Sequence, residues 1–316
     1  MPLTPGSHAL QTSRLAIGTR GSPLALAQAE EVRRTLAAAR GLPAEDIIIV
    51  PIRTTGDRIT DRPIAEAGGK GLFTKEIDEA LIDGRIDIGV HSAKDMATRL
   101  PEGIVVGACL KRGDVRDAFI SPVAKTLAEL PMGAVVGTSS LRRKALTLRE
   151  RPDLAVVDLR GNVETRLRKI AEGRAQATLL AAAGLARLGL LNRVAGLLNA
   201  DTWIPAPGQG AIALAVRAGD RATRALVARI DDRDTSIALA AERAFLAVLD
   251  GSCRTPIGGL ARVEGDRLSF RGIIVKPDGS AAHEVARDGL AGDAEAIGAD
   301  AAAELTGRGG PGFFAG

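Results

Sequence analysis

An α/β fold followed by a small α+β module is what the sequence predicts, on three observations. Apolar strand-like runs alternate with amphipathic helix-like runs up to about Ile230. Polar turns rich in glycine, serine, threonine and arginine stand at the strand-to-helix junctions. From Asp234 the texture changes to one helix, short strands joined by tight turns, and a last alanine-rich helix. Alternation of the first kind implies parallel βαβ units, because a parallel neighbour is reached only through a long crossover.

Taken in order, "LAIG" leads through "TRGSP" into "LALAQAEEVRRTL", with Ser22 as N-cap and Pro23 at the first helical position. "IIIV" (47–50) reads as a strand. "LFTKEIDEALIDG" reads as a helix carrying Phe73, Ile77 and Leu81 on one face, and "RIDIGV" as the next strand. "AVVG" leads through "TSS" into "LRRKALTLRERP", and "LAVVDL" through "RGN" into "VETRLRKIAEG". The most apolar later stretch, "ATLLAAAGLARLGLLNRVAGLL", is broken by Arg187 and Arg193 and contains glycines, so it reads as buried helices and not as a membrane span.

These elements make two candidate sheets, one before and one after "RGDVRDAF" (112–119). The late strand "AIALAVR" (211–217) is placed to return to the first sheet once the second is complete. That arrangement gives two lobes joined by two crossings, with a cleft between them; a single unbroken sheet is the alternative. The C-terminal module then holds the helix "TSIALAAERAFLAVLD", strands "GLARV", "RLSFRGIIV" and "AAHEVA" joined by turns "EGD" and "PDG", and a helix from about Asp293. The tail "GRGGPGFFAG" is expected to be disordered.

Composition narrows the function classes. A chain of 316 residues is long enough for about two or three domains with real cores. Only 2% of residues are aromatic and none is tyrosine, which argues against single-stranded nucleic acid stacked on side chains, and a net charge of +4 is weak for a polyanion binder of that kind. Of the 42 basic residues eight are lysine, leaving 34 arginines, whose rigid fork suits carboxylate or phosphate oxygens. The first residues show no basic stretch followed by an apolar one, so no secretory signal is read and a cytoplasmic location is expected. Two cysteines make no disulfide framework: Cys109, in the run "IVVGACL", reads as a core thiol, and Cys253 as a free one.

In open α/β sheets ligands sit beyond the carboxyl ends of strands, near helix N-termini. Arg20 and Ser22 follow the first strand; Thr138, Ser139, Ser140, Arg142 and Arg143 follow the strand ending at Gly137; Arg160, Asn162 and Arg166 follow the strand ending at Leu159. A compositional bias toward arginine would scatter it over solvent-facing helix positions, yet each of these turns is supplied, which points to a bound polyanion. "DIGVHSAKD" (87–95) puts His91, Ser92, Lys94 and Asp95 at a strand end. On these residues alone the turn is either solvated, with Asp95 as a helix cap, or a cleft carboxylate able to move a proton or offset a developing cation. His91 reads equally as scaffold or ligand, and three scattered histidines give a metal site no support. "GGKGLF" (68–73) lacks the spacing of a nucleotide P-loop and suits a glycine-rich lid as well. In "DGSCRTPIGG", Cys253 is either an inert residue in a turn or a nucleophile in a loop that glycines leave roomy.

"TRGSPLALAQA", "GGKGLFTKE", "DIGVHSAKD", "VGTSSLRRKAL", "LRGNVETRL", "PAPGQGAIALAVR" and "DGSCRTPIGG" occur together in this order, and together they closely resemble the porphobilinogen deaminase family. The resemblance runs from about Leu15 to the C-terminal helix. It implies two lobes like those of periplasmic binding proteins plus a cofactor-bearing C-terminal domain: domain 1 at 14–111 with 211–230, domain 2 at 112–210, domain 3 at 231–307, and disordered ends at 1–13 and 308–316. It implies a transferase that condenses four porphobilinogen molecules head to tail with loss of ammonia, on a dipyrromethane cofactor held by a thioether to Cys253, and releases linear hydroxymethylbilane by hydrolysis. Asp95 matches the catalytic carboxylate, which assists ammonia departure and stabilises cationic azafulvene or pyrrolenine intermediates. Arg20, Arg142, Arg143, Arg160 and Arg166 would line the cleft for acetate and propionate groups. Lys70, Ser22, Thr138, Ser139, Ser140, Lys94 and Gln209 match positions that contact cofactor or substrate carboxylates, and Phe73 an aromatic near the substrate pocket.

Two departures stand out. Glu66 replaces a frequent lysine, which puts one lid contact in doubt, and Met96–Ala97 replaces a frequent Val-Pro. The resemblance further implies a monomer with a small-molecule substrate and no metal, nucleic acid or membrane partner. A non-catalytic two-lobed anion-binding or effector-sensing protein is the rival; it accounts for the arginine turns and leaves Cys253 unexplained.

Overall fold

The structure is a computed structural model that describes residues 14–41, 43–58, 73–249 and 255–314. Strand β1 (Leu15–Arg20) ends in the turn that starts α1 (Pro23–Arg40), where Ser22 accepts a hydrogen bond from the Ala25 N–H at 3.3 Å and Pro23 sits in the first turn, where its missing N–H costs no helical bond. Strand β2 (Ile47–Ile52), a short α2 (Thr55–Arg58), α3 (Lys75–Ile82), β3 (Ile88–Ser92) and β4 (Ile104–Cys109) follow. The second stretch holds β5 (Asp117–Ile120), β6 (Val135–Gly137), α4 (Leu141–Glu150), β7 (Ala155–Val157), α5 (Val163–Ala171), β8 (Ala177–Ala181), α6 (Ala182–Arg187) and β9 (Gly196–Leu197). Then come β10 (Ile212–Arg217), α7 (Arg221–Val227), α8 (Arg233–Val248), β11 (Ile257–Glu264), β12 (Arg267–Val275), β13 (Ala282–Leu290) and α9 (Ala294–Gly309).

Two mixed five-stranded sheets share one plan. The first has the order β2-β1-β3-β10-β4 and the second β7-β6-β8-β5-β9. In each, three parallel strands meet one antiparallel strand that arrives over a crossing between the lobes: β10 pairs with β3 and β4, and β5 with β8 and β9. The alternative of one unbroken sheet is excluded. The two crossings run side by side, tied by Leu110 N–H to Ile212 O at 3.1 Å, Gly113 N–H to Gly210 O at 3.1 Å, and the Gln209 amide to Val115 O at 2.8 Å. Gly208, at φ 76°, presses so closely on the strand-end turn that a Cβ there would stand 2.8 Å from Lys94 N.

Each sheet is covered on both faces, as a largely parallel sheet requires. Val32 and Leu36 of α1 pack on Ile17, Ile88 and Leu214, while Ile77 and Leu81 of α3 pack on Ile86, Cys109 and Ala213. Burial pushes the Cys109 thiol up to about 11, consistent with an inert core position. The C-terminal sheet, β11-β12-β13, shares a core with the second lobe through Leu260, Ile273 and Val275 against Phe119, Leu146 and Trp203. Its other partner is the α8–α9 pair, packed so tightly at Gly298 that a Cβ there would lie 2.0 Å from Ala241 O.

Three expectations need correction. "ATLLA" is strand β8, not helix: a central strand buried on both faces carries the same apolar run as a buried helix. Phe73 lies in a turn ahead of α3 and does not ride on its face. The tail is ordered through Phe314: α9 continues to Gly309, and the Phe313 ring is buried against the module, 5.2 Å from the His283 ring. Residues 1–13, 315 and 316 lie outside the described residues. Among the described residues no helix is long and apolar enough to cross a membrane.

Candidate functional site

The sequence-predicted residues gather at the carboxyl ends of β1, β3, β6 and β7, on both sides of the crossings. On the first lobe a cavity of about 50 Å³ is lined by Arg20, Ser22, Gln28, Phe73, His91, Ser92 and Asp95, among others. The Arg20 guanidinium stands 4.3 Å above the Phe73 ring centroid, which holds the cation in place by its quadrupole. The Ser92 hydroxyl and the Gln28 amide are hydrogen-bonded at 2.9 Å. Burial, helped by Arg20, lowers the His91 pKa to about 4, so this ring is neutral at pH 7; its Nε2 is buried without a hydrogen-bond partner. His91 is therefore scaffold to the turn, not a cation in it.

Asp95 closes the single 3₁₀ turn Ala93–Asp95 that follows β3, half-buried, and it caps no helix. The neighbouring Lys94 ammonium donates to Gln209 Oε1 at 3.3 Å. Burial, then Arg143, lower the Lys94 pKa to about 8, opposed by Asp95 and Asp117.

On the second lobe, Ser140 caps α4 by accepting from Arg143 N–H at 3.4 Å, Thr138 Oγ1 accepts from Ser140 N–H at 3.2 Å, and Ser139 is exposed. Asn162 caps α5 through the Thr165 N–H at 2.8 Å. Arg166 donates to Gly161 O at 2.9 Å and reaches Ser139 Oγ at 3.5 Å; Lys169 donates to Arg160 O at 3.0 Å. Burial and then Arg143 bring the Arg166 pKa down to about 10, with Asp95 the leading charge acting the other way. Asp95 on one lobe and Arg166 on the other thus feel each other across the cleft.

Arg142 and Arg143 are engaged inside the protein. Both are buried, and both meet Asp117: Arg142 Nη2 donates to Oδ2 at 2.8 Å, and Arg143 donates to Oδ1 from Nη2 at 2.7 Å and from Nε at 3.2 Å. Arg142 Nη1 donates to Ile204 O and Arg143 Nη1 to Leu179 O, while Arg142 Nε is buried with no hydrogen-bond partner among the described residues. Burial works to raise the Asp117 pKa, yet the two guanidiniums hold it far below the usual carboxylate range. Trp203 Nε1 and Gln209 Nε2 each complete its shell at 2.9 Å. Neither Asp117 nor Trp203 stands out in the sequence; the only signal is an aspartate opening the apolar strand "DAFI".

A second buried carboxylate ties the module to the crossings. Glu242 of α8 accepts from both Nη atoms of Arg112 at 2.7 and 2.9 Å, from Gly208 N–H at 2.6 Å and from Ala261 N–H at 2.8 Å. Lys70 and Cys253 lie outside the described residues. A wider, open groove of about 340 Å³ between β4 and α7, lined by Val106, Gly107, Arg221 and Arg224, includes none of the predicted site residues.

The chain matches the family model described as porphobilinogen deaminase, dipyromethane cofactor binding domain, over residues 15–225, and that described as porphobilinogen deaminase, C-terminal domain, over residues 236–307. It is 59% identical over 298 residues to proteins named porphobilinogen deaminase from Nitrobacter hamburgensis and Nitrobacter winogradskyi, covering 94% of this chain and 94% of each relative. Among solved structures, the methionine binding protein MetQ aligns with a TM-score of 0.45 and 15% identity, over 69% of this chain and 90% of that one.

Proposed function

The chain belongs to the porphobilinogen deaminase family, and from that premise we propose how its residues divide the work. The enzyme is a transferase: it joins four porphobilinogen molecules head to tail with loss of ammonia on a covalent dipyrromethane primer, and hydrolysis releases linear hydroxymethylbilane.

The observation that carries the assignment of roles is one half-buried carboxylate, Asp95, set among cations on both lobes. A carboxylate weakens binding of an acidic substrate, so its place is explained by positive charge that develops on a pyrrole nitrogen as ammonia leaves. Asp95 offsets that charge and exchanges the proton. Arg20, Ser22 and Phe73 on the first lobe, and Thr138, Ser139, Ser140, Arg160 and Arg166 on the second, hold the acetate and propionate groups that each porphobilinogen brings. Lys70 shares that role. Lys94 and Gln209, hydrogen-bonded to each other at the junction between the lobes, contact cofactor or substrate carboxylates beside Asp95.

The chemistry of this donor set fits a dipyrromethane. Its acidic side chains call for cations and hydroxyls, and Arg142 Nε is a buried donor without a partner among the described residues. Arg142 and Arg143 face its carboxylates with the donors that Asp117 leaves over, and the Cys253 sulfur makes the thioether. When bound, the dipyrromethane supplies the pyrrole carbon from which the chain grows. The domain division is 14–111 with 211–230, 112–210 and 231–314, the last carried past 307 by α9 and Phe313, and the enzyme works as a cytoplasmic monomer with no metal, nucleic acid or membrane partner.

Intact mass tests attachment. The purified chain is expected to exceed its sequence mass by two pyrrole units, and Cys253→Ala to show the bare mass and form no tetrapyrrole. A bare parent chain would favour a non-catalytic anion-binding protein; an increment that survives in Cys253→Ala, or maps to Cys109, would move the attachment elsewhere.

A further inference from the structure

Asp117 is the most completely engaged side chain at the junction of the lobes. It is 0% exposed and accepts five hydrogen bonds from four side chains: Arg142 and Arg143 of α4, Trp203 from the loop before the second crossing, and Gln209 on that crossing. Its Oδ1 partner Gln209 turns its own carbonyl oxygen to the Lys94 ammonium, at 3.3 Å, and Lys94 is the residue next to Asp95. A continuous chain of hydrogen bonds therefore runs from the arginine turn of the second lobe, through a carboxylate and an amide, to the strand-end turn of the first.

The orientation of Gln209 follows from this shell. With its Nε2 donating to Asp117 Oδ1 and Val115 O, its Oε1 is the atom left to meet a cation. Were Asp117 neutral, both arginines would lose their counter-charge in a buried site, and the Gln209 amide would donate to an uncharged, weaker acceptor. The charges acting on Lys94 are then Arg143 and Arg142 on the repulsive side and Asp95 and Asp117 on the attractive side. Asp95 belongs to the chemistry; Asp117 touches no solvent.

We infer that Asp117 is a positioning residue of the condensation reaction: by offsetting Arg142 and Arg143 and orienting Gln209 it holds the Lys94 ammonium in place beside Asp95, so that the second lobe sets the charge balance around the catalytic carboxylate of the first. This rests on the reading that Lys94 and Asp95 face the reacting pyrroles.

The test uses the chain carrying its cofactor and two readouts. One is the Lys94 titration midpoint, followed by ¹³C NMR of ε-labelled lysine; the other is the pH profile of single-turnover elongation with porphobilinogen. In Asp117→Asn the Lys94 midpoint is expected to fall by about one unit, the lower end of what a lost opposite charge does, and the alkaline limb of elongation to move with it. A folded Asp117→Asn with midpoint and limb both unmoved would reduce Asp117 to a structural residue and overturn the inference. If Asp117→Asn does not fold, Gln209→Met cuts the link and leaves the Asp117–arginine pairs intact. It is expected to lower the midpoint and slow elongation, and wild-type values for both would refute the proposal. Lys94→Met separates the two levels of the argument. Loss of the alkaline limb there, with none of the shift in Asp117→Asn, sinks the role of Asp117 alone; an unchanged elongation profile in Lys94→Met sinks the reading on which it rests.

Discussion

Breaking the strut between Arg112 and Glu242 should loosen the docking of the C-terminal module and, with it, the junction at the active site. Glu242 is 0% exposed and the Arg112 side chain 12%, with the guanidinium held by two short parallel bonds and by Gln209 O at 2.9 Å. In Arg112→Met the carboxylate keeps the Gly208 and Ala261 N–H donors but loses its counter-charge. Removing one partner of a buried pair costs about 3–5 kcal/mol, because the other charge stays buried. At roughly 2–4 °C per kcal/mol for a chain somewhat smaller than this one, that lowers Tm by about 6–20 °C. Differential scanning calorimetry of the cofactor-bearing protein measures it. Adding Glu242→Gln removes the stranded charge, so Arg112→Met/Glu242→Gln should recover part of the loss, more than independent effects allow. Because Gly208 is clamped between Glu242 and the Ala93–Lys94 backbone, the single variant should also slow elongation. A Tm for Arg112→Met within 2 °C of the parent, far less than a stranded buried charge costs, would refute the reasoning.

Asp95→Asn should cut single-turnover elongation by on the order of 10²–10⁴ while the folded protein still accepts porphobilinogen; normal elongation would remove Asp95 from the chemistry, and lost binding with normal chemistry would make it a positioning residue. His91, with a folded midpoint near 4 against 6.5 unfolded, should make stability fall as pH drops from 6.5 toward 4, since the unfolded chain takes up the proton first. The full loss is about 3 kcal/mol, and urea titrations of parent and His91→Gln at pH 7 and 4.5 should diverge; parallel losses would show that His91 contributes nothing. Gly298→Ala forces a methyl onto Ala241 O and should cost about 3 kcal/mol, the upper end for overpacking, read as a lower unfolding midpoint of the C-terminal module.

What the sequence determined by itself is what short stretches carry. Ser22 with Pro23 signals a helix start in two residues, and Ser22 caps α1 as its type demands. Because a strand end followed by such a cap is where an α/β sheet binds its ligand, Arg20, Thr138–Ser140, Arg160 and Arg166 were legible as site residues before any pairing was known. The position of "AIALAVR" after the second sheet allowed either a two-lobed plan or one unbroken sheet, and the strand order decided for two lobes. Tertiary structure alone decided the rest. Asp117 lies in "RGDVRDAF", a string that marks only the divide between the two sheets; its partners lie 25, 26, 86 and 92 residues away, and only the sheet order brings them to it. The same cause governs Arg142 and Arg143, whose local pattern points them at a ligand while the fold gives them a buried carboxylate first. "ATLLA" carries no period that separates strand from helix, so its neighbours β5 and β6 settled it. Glycines in the tail suggested disorder, and one phenylalanine, finding the His283 ring 30 residues back, gained enough burial to order it. Local chemistry is written in neighbouring residues, whereas a buried charge is defined by what surrounds it, and that is a property of the packed chain.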